Sequence, residues 1–499
     1  MASATDQPDT PVSTPARPAR GLRRLRRGQG RDWALMVLGA LALAAVSLLV
    51  LPGTTAYDPQ SWLIWGREID HLALHTAGAA TAVKPLPIFI DVLIAPAGAV
   101  APALWLLVAR TGTLLALALA FRLGHRIGGV LAGVVAALCL AMSAQFLGYL
   151  FRAGMSEPMA TAAVLAAADS HLRSRRGAAL GFLVVAGLLR PEAWPAVMAY
   201  SVWVTYRGGA WRRLGGLVLA VAVPAVWFVI DWFGSGQLSR SAHAATHQSQ
   251  GGPLLSREPG LATVTETWNL MSGPVLVLFL LGFGTALVAW RRSGRPGPLV
   301  LLGLGAFAWL AVDAVLAQGR FATGAPRYLL PGVGLACVVA GCFVADLARA
   351  LRHRLAGTPR LRWVAVAVVV VALLAVCAPG LTWHPSGVEA SLRLSARQHA
   401  QEARLPAAVA TAGGRAAILR CGEVSTGPFQ VPLLAWQLHL PLDAVHVARP
   451  GVTGTVIEMA PASFGPGDLS NYRVLAGRHA GPDSGRWVVL TTCQAPARP

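Results

Sequence analysis

Charged residues are scarce in this sequence: they make up 13% of its 499 residues, whereas hydrophobic residues make up 55%. Among the charged residues, the 22 acidic ones are outnumbered by 42 basic ones. Lys84 is the single lysine, and every other basic residue counted here is arginine. So few charges cannot form the polar shell of one large soluble core. The composition therefore predicts an integral membrane protein.

The sequence also lacks the signatures of several soluble enzyme classes. We find no internal repeat, no ligand spacing typical of zinc sites and no glycine-rich loop for nucleotide phosphates. Low complexity is confined to the Pro- and Thr-rich first thirty residues. We expect residues 1–31 to form a disordered basic arm rather than a folded domain.

Apolar runs of roughly 20 residues recur along the first 380 positions, and about 20 residues of helix cross a bilayer core of about 30 Å. We predict an all-α polytopic membrane bundle over residues 32–380. Its eleven predicted spans are 33–51, 99–120, 130–147, 156–172, 178–189, 194–206, 214–233, 271–290, 299–317, 328–350 and 363–379.

Arginine clusters predict the orientation of these helices. With eleven spans, the amino-terminal arm and the loops FRLGHR, HLRSRRG, YRGGAWRR, RRSGR and RALRHRLAGTPRLR all fall on one face, and they hold more than half of the basic residues. Short cytoplasmic loops carry such an excess, so the amino terminus is predicted inside and the carboxyl terminus outside a plasma membrane. The net charge of +20 then reflects topology and contact with anionic lipid, and nucleic acid is not implied.

Residues 381–499 have a different character, and we predict a small extracytoplasmic α/β domain. The segments RAAILRCGEV, DAVHVARP and RWVVLTTC are typical of short strands, and VPLLAWQLHL of a helix between them. Cys421 and Cys493 each end a predicted strand on the oxidising side of the membrane. We expect them to be bonded; the alternative is that both are free.

The first loop, residues 52–86, contains TAYDPQSWLIWGREID. Trp62, Trp65 and Ile69 recur at helical spacing, which predicts an amphipathic helix lying on the bilayer surface with its tryptophans in the headgroup layer. Asp58 before a proline is typical of a helix N-cap. It is equally placed to act as a general base at the water–lipid boundary. Glu68 is predicted to be an exposed charge and a secondary candidate.

Several further charges fall at membrane depth, where each costs roughly 2.5 to 3.5 kcal/mol. They are expected to face protein, water or an anionic ligand, or simply to pair with one another. Asp231 is another secondary candidate, and His243 and His247 beside it would bind a metal only if helical. Lys84 ends the first loop, where a compact ammonium suits phosphate, although chance explains it as well. The remaining candidates are Arg152, Glu157, Arg190, Glu192 and Arg327.

Taken in order, Asp58 in the first loop, KPLP, FRLGHR, RAGMSEP, LRPE and RYLLP resemble the GT-C class of membrane glycosyltransferases. The branch is the one that includes protein mannosyltransferases and actinobacterial mannosyl- and arabinosyltransferases. The resemblance spans most of residues 33–350. It implies a polyprenyl-phosphate sugar as donor, inversion at the anomeric carbon and an extracytoplasmic active site.

On this resemblance Asp58 corresponds to the acidic residue that acts as base. Lys84, Arg152, Glu157, Arg190, Glu192 and Arg327 are candidates for binding substrate and the leaving phosphate. Many relatives carry two adjacent acids in this loop, whereas this chain has Tyr57-Asp58-Pro59. We therefore assign no cofactor from the sequence and leave a divalent metal open.

We predict a hexosyl- or pentosyltransferase that moves a sugar to a hydroxyl of a glycan, lipid or protein. Mannose is the leading candidate for that sugar. The main alternative is a lipid or glycolipid flippase, which also needs ionisable residues in a cavity. Transporters more often show repeated halves, and this sequence shows none. A structural membrane protein, in which the buried charges merely pair, is the third alternative.

Overall fold

The computed structural model describes residues 19–51, 53–247, 253–354, 388–449, 452–459, 472–476 and 487–493. Its described part is mostly helical. The helices of the bundle are α1 (Ala19–Val50), α2 (Tyr57–Asp70), α3 (Pro85–Ile94), α4 (Ala101–Gly128), α5 (Val130–Ala141), α6 (Phe151–Ala153), α7 (Glu157–Leu172), α8 (Arg176–Leu189), α9 (Trp194–Thr205), α10 (Ala210–Ser235), α11 (Arg240–His247), α12 (Pro259–Met271), α13 (Gly273–Ser293), α14 (Pro298–Gln318) and α15 (Leu330–Arg354).

Six helical segments among the described residues are long and apolar enough to cross a membrane, and a seventh is bent between Val130–Ala141 and Phe146–Ala153. The chain is therefore a multi-pass membrane protein. The first ten predicted spans each coincide with helix, although several of these helices are short. The eleventh, at 363–379, lies outside the described residues, so the count of eleven and the orientation stay predictions.

Helix α15 forms the centre of the bundle and is buried along most of its length. Small residues allow its neighbours to approach the backbone closely: a Cβ at Gly341 would lie 2.5 Å from the Ala132 carbonyl oxygen of α5. Arg327 and Tyr328 lie in a short 3₁₀ turn that leads directly into α15. The rigid centre of the bundle thus fixes both side chains.

The apolar run after Lys84 is too long for a single crossing, and it is broken close to residue 99, where the predicted second span begins. Helix α3 ends at Ile94, the 3₁₀ segment Ala95–Val100 contains Gly98 at φ 62, and α4 then begins at Ala101. A positive φ is readily adopted by glycine, which permits this sharp change of direction. The short α3 packs against α2 so closely that a Cβ at Gly66 would meet the backbone of Asp91.

The prediction that α2 lies on the bilayer surface is wrong. Trp62 and Trp65 are fully buried in the protein rather than facing lipid. The Trp62 indole donates to the Ala82 carbonyl and the Trp65 indole to the His75 carbonyl, so both rings hold the remainder of the first loop. The helix and its apolar face exist as predicted, but other parts of the chain cover that face instead of lipid.

The carboxy-terminal domain has the predicted mixed character. Its described helices are α16 (Val388–Glu402), α17 (Leu405–Thr411), α18 (Gly414–Arg420) and α19 (Val431–Gln437). The strands are β1 (Glu423–Thr426), β2 (Val445–Val447), β3 (Gly454–Met459), β4 (Arg473–Ala476) and β5 (Trp487–Thr491), in the sheet order β2-β1-β3-β5-β4. The three strands β2, β1 and β3 run parallel, whereas β5 is antiparallel to β3 and β4.

The strand predicted across RAAILRCGEV is only partly right, because α18 occupies its first part and β1 begins at Glu423. Strands β3 and β4 lack a clear alternation and were not predicted. Cys421 and Cys493 form a disulfide between the start of β1 and the end of β5, with their Cα atoms 5.6 Å apart. The disulfide closes a loop across most of the domain and so reduces the conformational entropy of the unfolded chain.

The first loop joins this domain to the bundle. Arg67 of α2 donates to the Leu440 carbonyl at 2.9 Å, and its guanidinium lies 5.0 Å from the ring centre of Trp436 in α19. His75 also approaches Asp443, with Nε2 and Oδ2 3.1 Å apart. Helix α2 is therefore covered on one side by membrane helices and on the other by the sheet domain.

Candidate active site

Asp58 lies in the first turn of α2 and does not cap it. The helix begins at Tyr57, and Ala56 occupies the N-cap position without a side-chain bond. The Asp58 carboxylate instead accepts a hydrogen bond from Thr81 at 3.0 Å and lies 3.7 Å from the Arg327 guanidinium. The carboxylate is thus free of a capping role and is held at the edge of a charged cluster.

Glu157 is the centre of that cluster. It is fully buried at the start of α7, and one carboxylate oxygen contacts three cations: Lys84 at 3.4 Å, Arg190 at 3.1 Å and Arg327 at 3.4 Å. These residues come from distant parts of the chain. A buried carboxylate is tolerated because opposite charges surround it.

Lys84 is nearly fully buried, at 6% exposure. Its ammonium donates to the Ser156 hydroxyl at 2.8 Å and lies 4.8 Å from the ring centre of Trp62. Ser156 precedes α7 without capping it, so its hydroxyl serves the lysine. Trp62 shields the ammonium from one side, and a compact cation is thereby fixed at the point where the first loop enters the bundle.

Arg190 and Glu192 form a two-point ion pair at the break between α8 and α9. Nε of Arg190 lies 2.9 Å from one Glu192 oxygen, and Nη2 lies 2.5 Å from the other. Tyr328 stacks on the guanidinium, whose carbon is 3.6 Å from the ring centre. Asp313 of α14 is fully buried and interacts electrostatically with both members of the pair.

The cluster is electrically balanced before Asp313 is counted. Lys84, Arg190 and Arg327 face the carboxylates of Asp58, Glu157 and Glu192. Exposure divides them sharply: the side chains of Asp58 and Arg327 are each 26% exposed, whereas those of Lys84, Glu157 and Arg190 are nearly inaccessible. A ligand can therefore reach Asp58 and Arg327 first.

Asp231 lies outside the cluster but supports it. Its carboxylate accepts hydrogen bonds from the Ser241 backbone N–H at 2.8 Å and hydroxyl at 2.6 Å, and the Ser241 oxygen accepts from the Val83 N–H. Arg240 donates to the Thr81 carbonyl at 2.6 Å. These contacts fix the segment that carries Lys84 and the Thr81 hydroxyl that binds Asp58.

Glu68 is buried, so the prediction of an exposed charge is wrong. Its exposure is 7%, and it accepts the His75 N–H at 2.8 Å. Burial raises the pKa of Glu68 to about 7, against the lowering effects of the His75 N–H and of Arg67. The residue faces the sheet domain rather than the cluster.

Arg152 does not join the cluster either. It is buried, donates to the Gly148 carbonyl and lines a cavity of about 400 Å³ between the first loop and the carboxy-terminal domain. We call this the polar cavity. Its polar lining comprises Thr54, Thr55, Tyr57, Gln60, Arg152, Gln398, Gln401, Glu402 and Gln430.

A second cavity, of about 420 Å³, is almost wholly apolar and lies among α7, α8, α9, α14 and α15. We call it the apolar cavity. Glu192 and Trp309 line the end nearest the charged cluster, and His171 and Tyr200 line another part of its wall. Arg190 does not line the cavity itself, but its ion-pair partner Glu192 does.

The described residues contain no group of three or more His, Cys, Asp or Glu side chains arranged to hold a metal ion. His243 and His247 do lie on one helix, α11, but no third ligand joins them in that part of the chain. In the cluster, the carboxylates of Glu157 and Glu192 already contact cations of the protein.

Sequence reasoning missed Asp313, Ser156, Thr81 and the polar cavity. Asp313 carried a usable signal, since a lone carboxylate within the apolar run LVLLGLGAFAWLAVDAVLAQ is costly in a membrane. Ser156 and Thr81 are ordinary polar residues, and only the fold brings them to Lys84 and Asp58.

No protein-family model matches the sequence, and no curated protein matches it. Solved structures do. ArnT from Cupriavidus metallidurans in the apo state matches with a TM-score of 0.51 and 15% identity, over 93% of this chain and 98% of ArnT. ArnT bound to undecaprenyl phosphate matches with a TM-score of 0.49 and 16% identity, over 94% of this chain and 99% of that one.

The archaeal oligosaccharyltransferase AglB from Archaeoglobus fulgidus, in complex with an inhibitory peptide and a dolichol-phosphate, matches with a TM-score of 0.47 and 11% identity. The match covers 86% of this chain and 70% of AglB. At such identities the likeness concerns the fold, and for apo ArnT the TM-score exceeds 0.5. The chain has the GT-C fold that its motifs indicated.

Proposed function

We propose that this protein is an integral membrane glycosyltransferase that moves a sugar from a polyprenyl phosphate to an extracytoplasmic acceptor hydroxyl, with inversion at the anomeric carbon. Mannose is the leading candidate for the sugar. The observation that carries the proposal is the contact between Asp58 and Arg327 at the accessible edge of a buried cationic cluster. The GT-C fold and the binding of undecaprenyl phosphate by ArnT support it.

The donor fits the two ends of the site. Its polyprenyl chain would lie in the apolar cavity, and its phosphate beside Arg327, Lys84 and Arg190. Cations fixed in a low-dielectric site stabilise the negative charge that grows on a leaving phosphate, because they need no reorganisation during the reaction. Arg327 is the first contact because it is the most exposed of the three.

In the transfer step, the acceptor oxygen forms a bond to the anomeric carbon while the bond from that carbon to the phosphate oxygen breaks. The bonding electron pair goes to the phosphate, and the hydroxyl proton goes to Asp58. The products are a glycosylated acceptor and a polyprenyl phosphate. Attack opposite to the leaving group gives inversion.

The ion pair between Asp58 and Arg327 couples donor binding to base activation. A phosphate that binds Arg327 competes with Asp58 for the guanidinium, and the carboxylate is left free to accept a proton. Base and cation are therefore paired before the donor arrives and separated once it is bound.

The test compares purified wild type with Asp58→Asn, supplied with radiolabelled polyprenyl-phosphate mannose or arabinose and membrane acceptors. We expect transfer to fall at least about a hundredfold with folding intact, because general base catalysis contributes 10²–10⁴-fold. Asp70→Asn, at the exposed end of the same helix, is the matched control and should retain full activity.

Full transfer by Asp58→Asn would overturn the base assignment. Movement of the lipid across vesicle membranes by both proteins, with no sugar transferred, would favour the flippase instead. The choice between mannose and arabinose as donors distinguishes a hexosyl- from a pentosyltransferase.

A further inference from the structure

The polar cavity between the first loop and the carboxy-terminal domain has a composition unlike that of the apolar cavity. Amide side chains from three separate segments line it: Gln60 from α2, Gln398 and Gln401 from α16, and Gln430 before α19. A volume of about 400 Å³ lies within the range of small-ligand sites. Amides offer both donors and acceptors, which suits a ligand rich in hydroxyl groups.

One of these amides has unused bonding capacity. Gln60 is 3% exposed, its oxygen accepts from the Thr55 hydroxyl, and its Nε2 has no hydrogen-bond partner among the described residues. A buried amide N–H₂ without a partner costs free energy unless a ligand or water satisfies it. Because Gln60 lines the cavity, a ligand there can accept this bond.

Two other groups fit an uncharged ligand. Burial raises the pKa of Glu402 to about 8, so this carboxyl holds its proton near neutral pH and can both donate and accept. Phe429 is 76% exposed at the cavity wall and offers a flat apolar face, such as the C–H face of a sugar ring can cover.

The cavity also borders the base. Tyr57 lines it, and Asp58 is the next residue along the helix. Burial raises the pKa of Tyr57 to about 12, so the hydroxyl stays neutral and can donate. A ligand in the cavity therefore lies against Tyr57 and Gln60, the residues on either side of Asp58-Pro59 in the first turn of α2.

We propose that the polar cavity binds the acceptor, and that the acceptor is a saccharide chain. The proposal rests on the proposed function and adds the acceptor class to it. A peptide acceptor fits less well, because peptides are commonly recognised by strand addition at a sheet edge or by a helical groove. No residue of β2 or β4, the two edge strands of the sheet, lines this cavity.

The test measures binding of mannotriose to the full-length protein in nanodiscs by saturation-transfer NMR, without donor. We expect millimolar binding by wild type. Gln398→Leu combined with Gln430→Leu should weaken it about tenfold or more, because two hydrogen bonds are lost. Gln437→Leu, at the far end of α19 and not in the cavity lining, should bind as wild type does.

A threonine-containing pentapeptide serves as the competing probe. Failure of mannotriose to bind wild type, undiminished binding by the double variant, or displacement of mannotriose by the peptide would each overturn the saccharide assignment. Thermal melting checks that the double variant folds. Because the binding assay uses no donor, its outcome is independent of whether Asp58→Asn loses transfer.

Discussion

The carboxylate of Asp58 and the guanidinium of Arg327 lie 3.7 Å apart, at the one edge of the charged cluster where both side chains are a quarter exposed. They begin different helices of the fold, one in the first turn of α2 and the other just before the central helix α15. Arg327 also contacts Glu157, so it links the accessible carboxylate to the buried one. Donor binding, base activation and the stability of the bundle thus depend on one side chain.

We expect Arg327→Ala to lower the transfer rate about 10²- to 10³-fold, the usual cost of removing one group that stabilises transition-state charge. Steady-state kinetics with the labelled donor measures it. Arg292→Ala, at an exposed helix end, is the control and should change the rate little. An unchanged rate in Arg327→Ala would exclude the guanidinium from phosphate stabilisation.

We expect Glu157→Gln to destabilise the bundle by about 3–5 kcal/mol, because it leaves Lys84, Arg190 and Arg327 without their shared buried carboxylate. Unfolding of the purified protein in detergent measures the loss. Asp346→Asn breaks an exposed ion pair with Arg349 in α15 and should change stability by less than about 1 kcal/mol. Equal effects of the two substitutions would contradict the central role of Glu157.

Glu68 gives a pH dependence whose sign follows from its raised pKa. The folded protein keeps a proton on Glu68 up to about pH 7, whereas the pKa of an unperturbed glutamate is 4.5. The fold therefore loses stability as the pH rises from about 4.5 to 7, by about 3 kcal/mol at most. Arg67 and the His75 N–H oppose this shift, and Asp443 of the facing domain adds to it.

Glu68→Gln keeps an acceptor for the His75 N–H and removes the charge. We expect its apparent Tm to exceed that of wild type at pH 8.5 and to match it closely at pH 4.5. Asp70→Asn, exposed on the same helix, should show no such pH dependence. A Tm difference that is the same at both pH values would show that burial of the charge is not the cause.

The side of the membrane on which the first loop lies can be read by labelling. Leu72 is 96% exposed, so Leu72→Cys should react with a membrane-impermeant maleimide in intact cells. Among the described residues the native thiols give little background: Cys139, Cys337 and Cys342 are buried, and Cys421 is bonded to Cys493.

Ser293→Cys, in the exposed RRSGR loop of the opposite predicted face, should react only after the cells are permeabilised. The reverse pattern would place Asp58 and the candidate site in the cytoplasm. The labelling thus tests the arginine-based orientation independently of any activity.

The helices of the bundle were predictable because the length of an apolar run is a local property of the chain. The break before α4 followed in the same way, since no single crossing could use all of Pro85–Gly128. The sequence also identified the charged residues within such runs as candidates for a site, because burying a charge in lipid costs free energy whichever way the side chain points. Their partners were not predictable, since pairing depends on how the helices pack.

Sequence alone determined that this chain lies in a membrane, and that Asp58, Lys84, Glu157, Arg190, Glu192 and Arg327 need an explanation there. Only the tertiary structure decided that Glu157 contacts three of the cations, that Arg152 and Glu68 belong elsewhere, and that α2 is buried on both sides. The physical reason is that hydropathy and helical period record what a segment must avoid or bury. Which atoms it meets depends on residues hundreds of positions away, and those contacts form only when the helices and the sheet domain pack together.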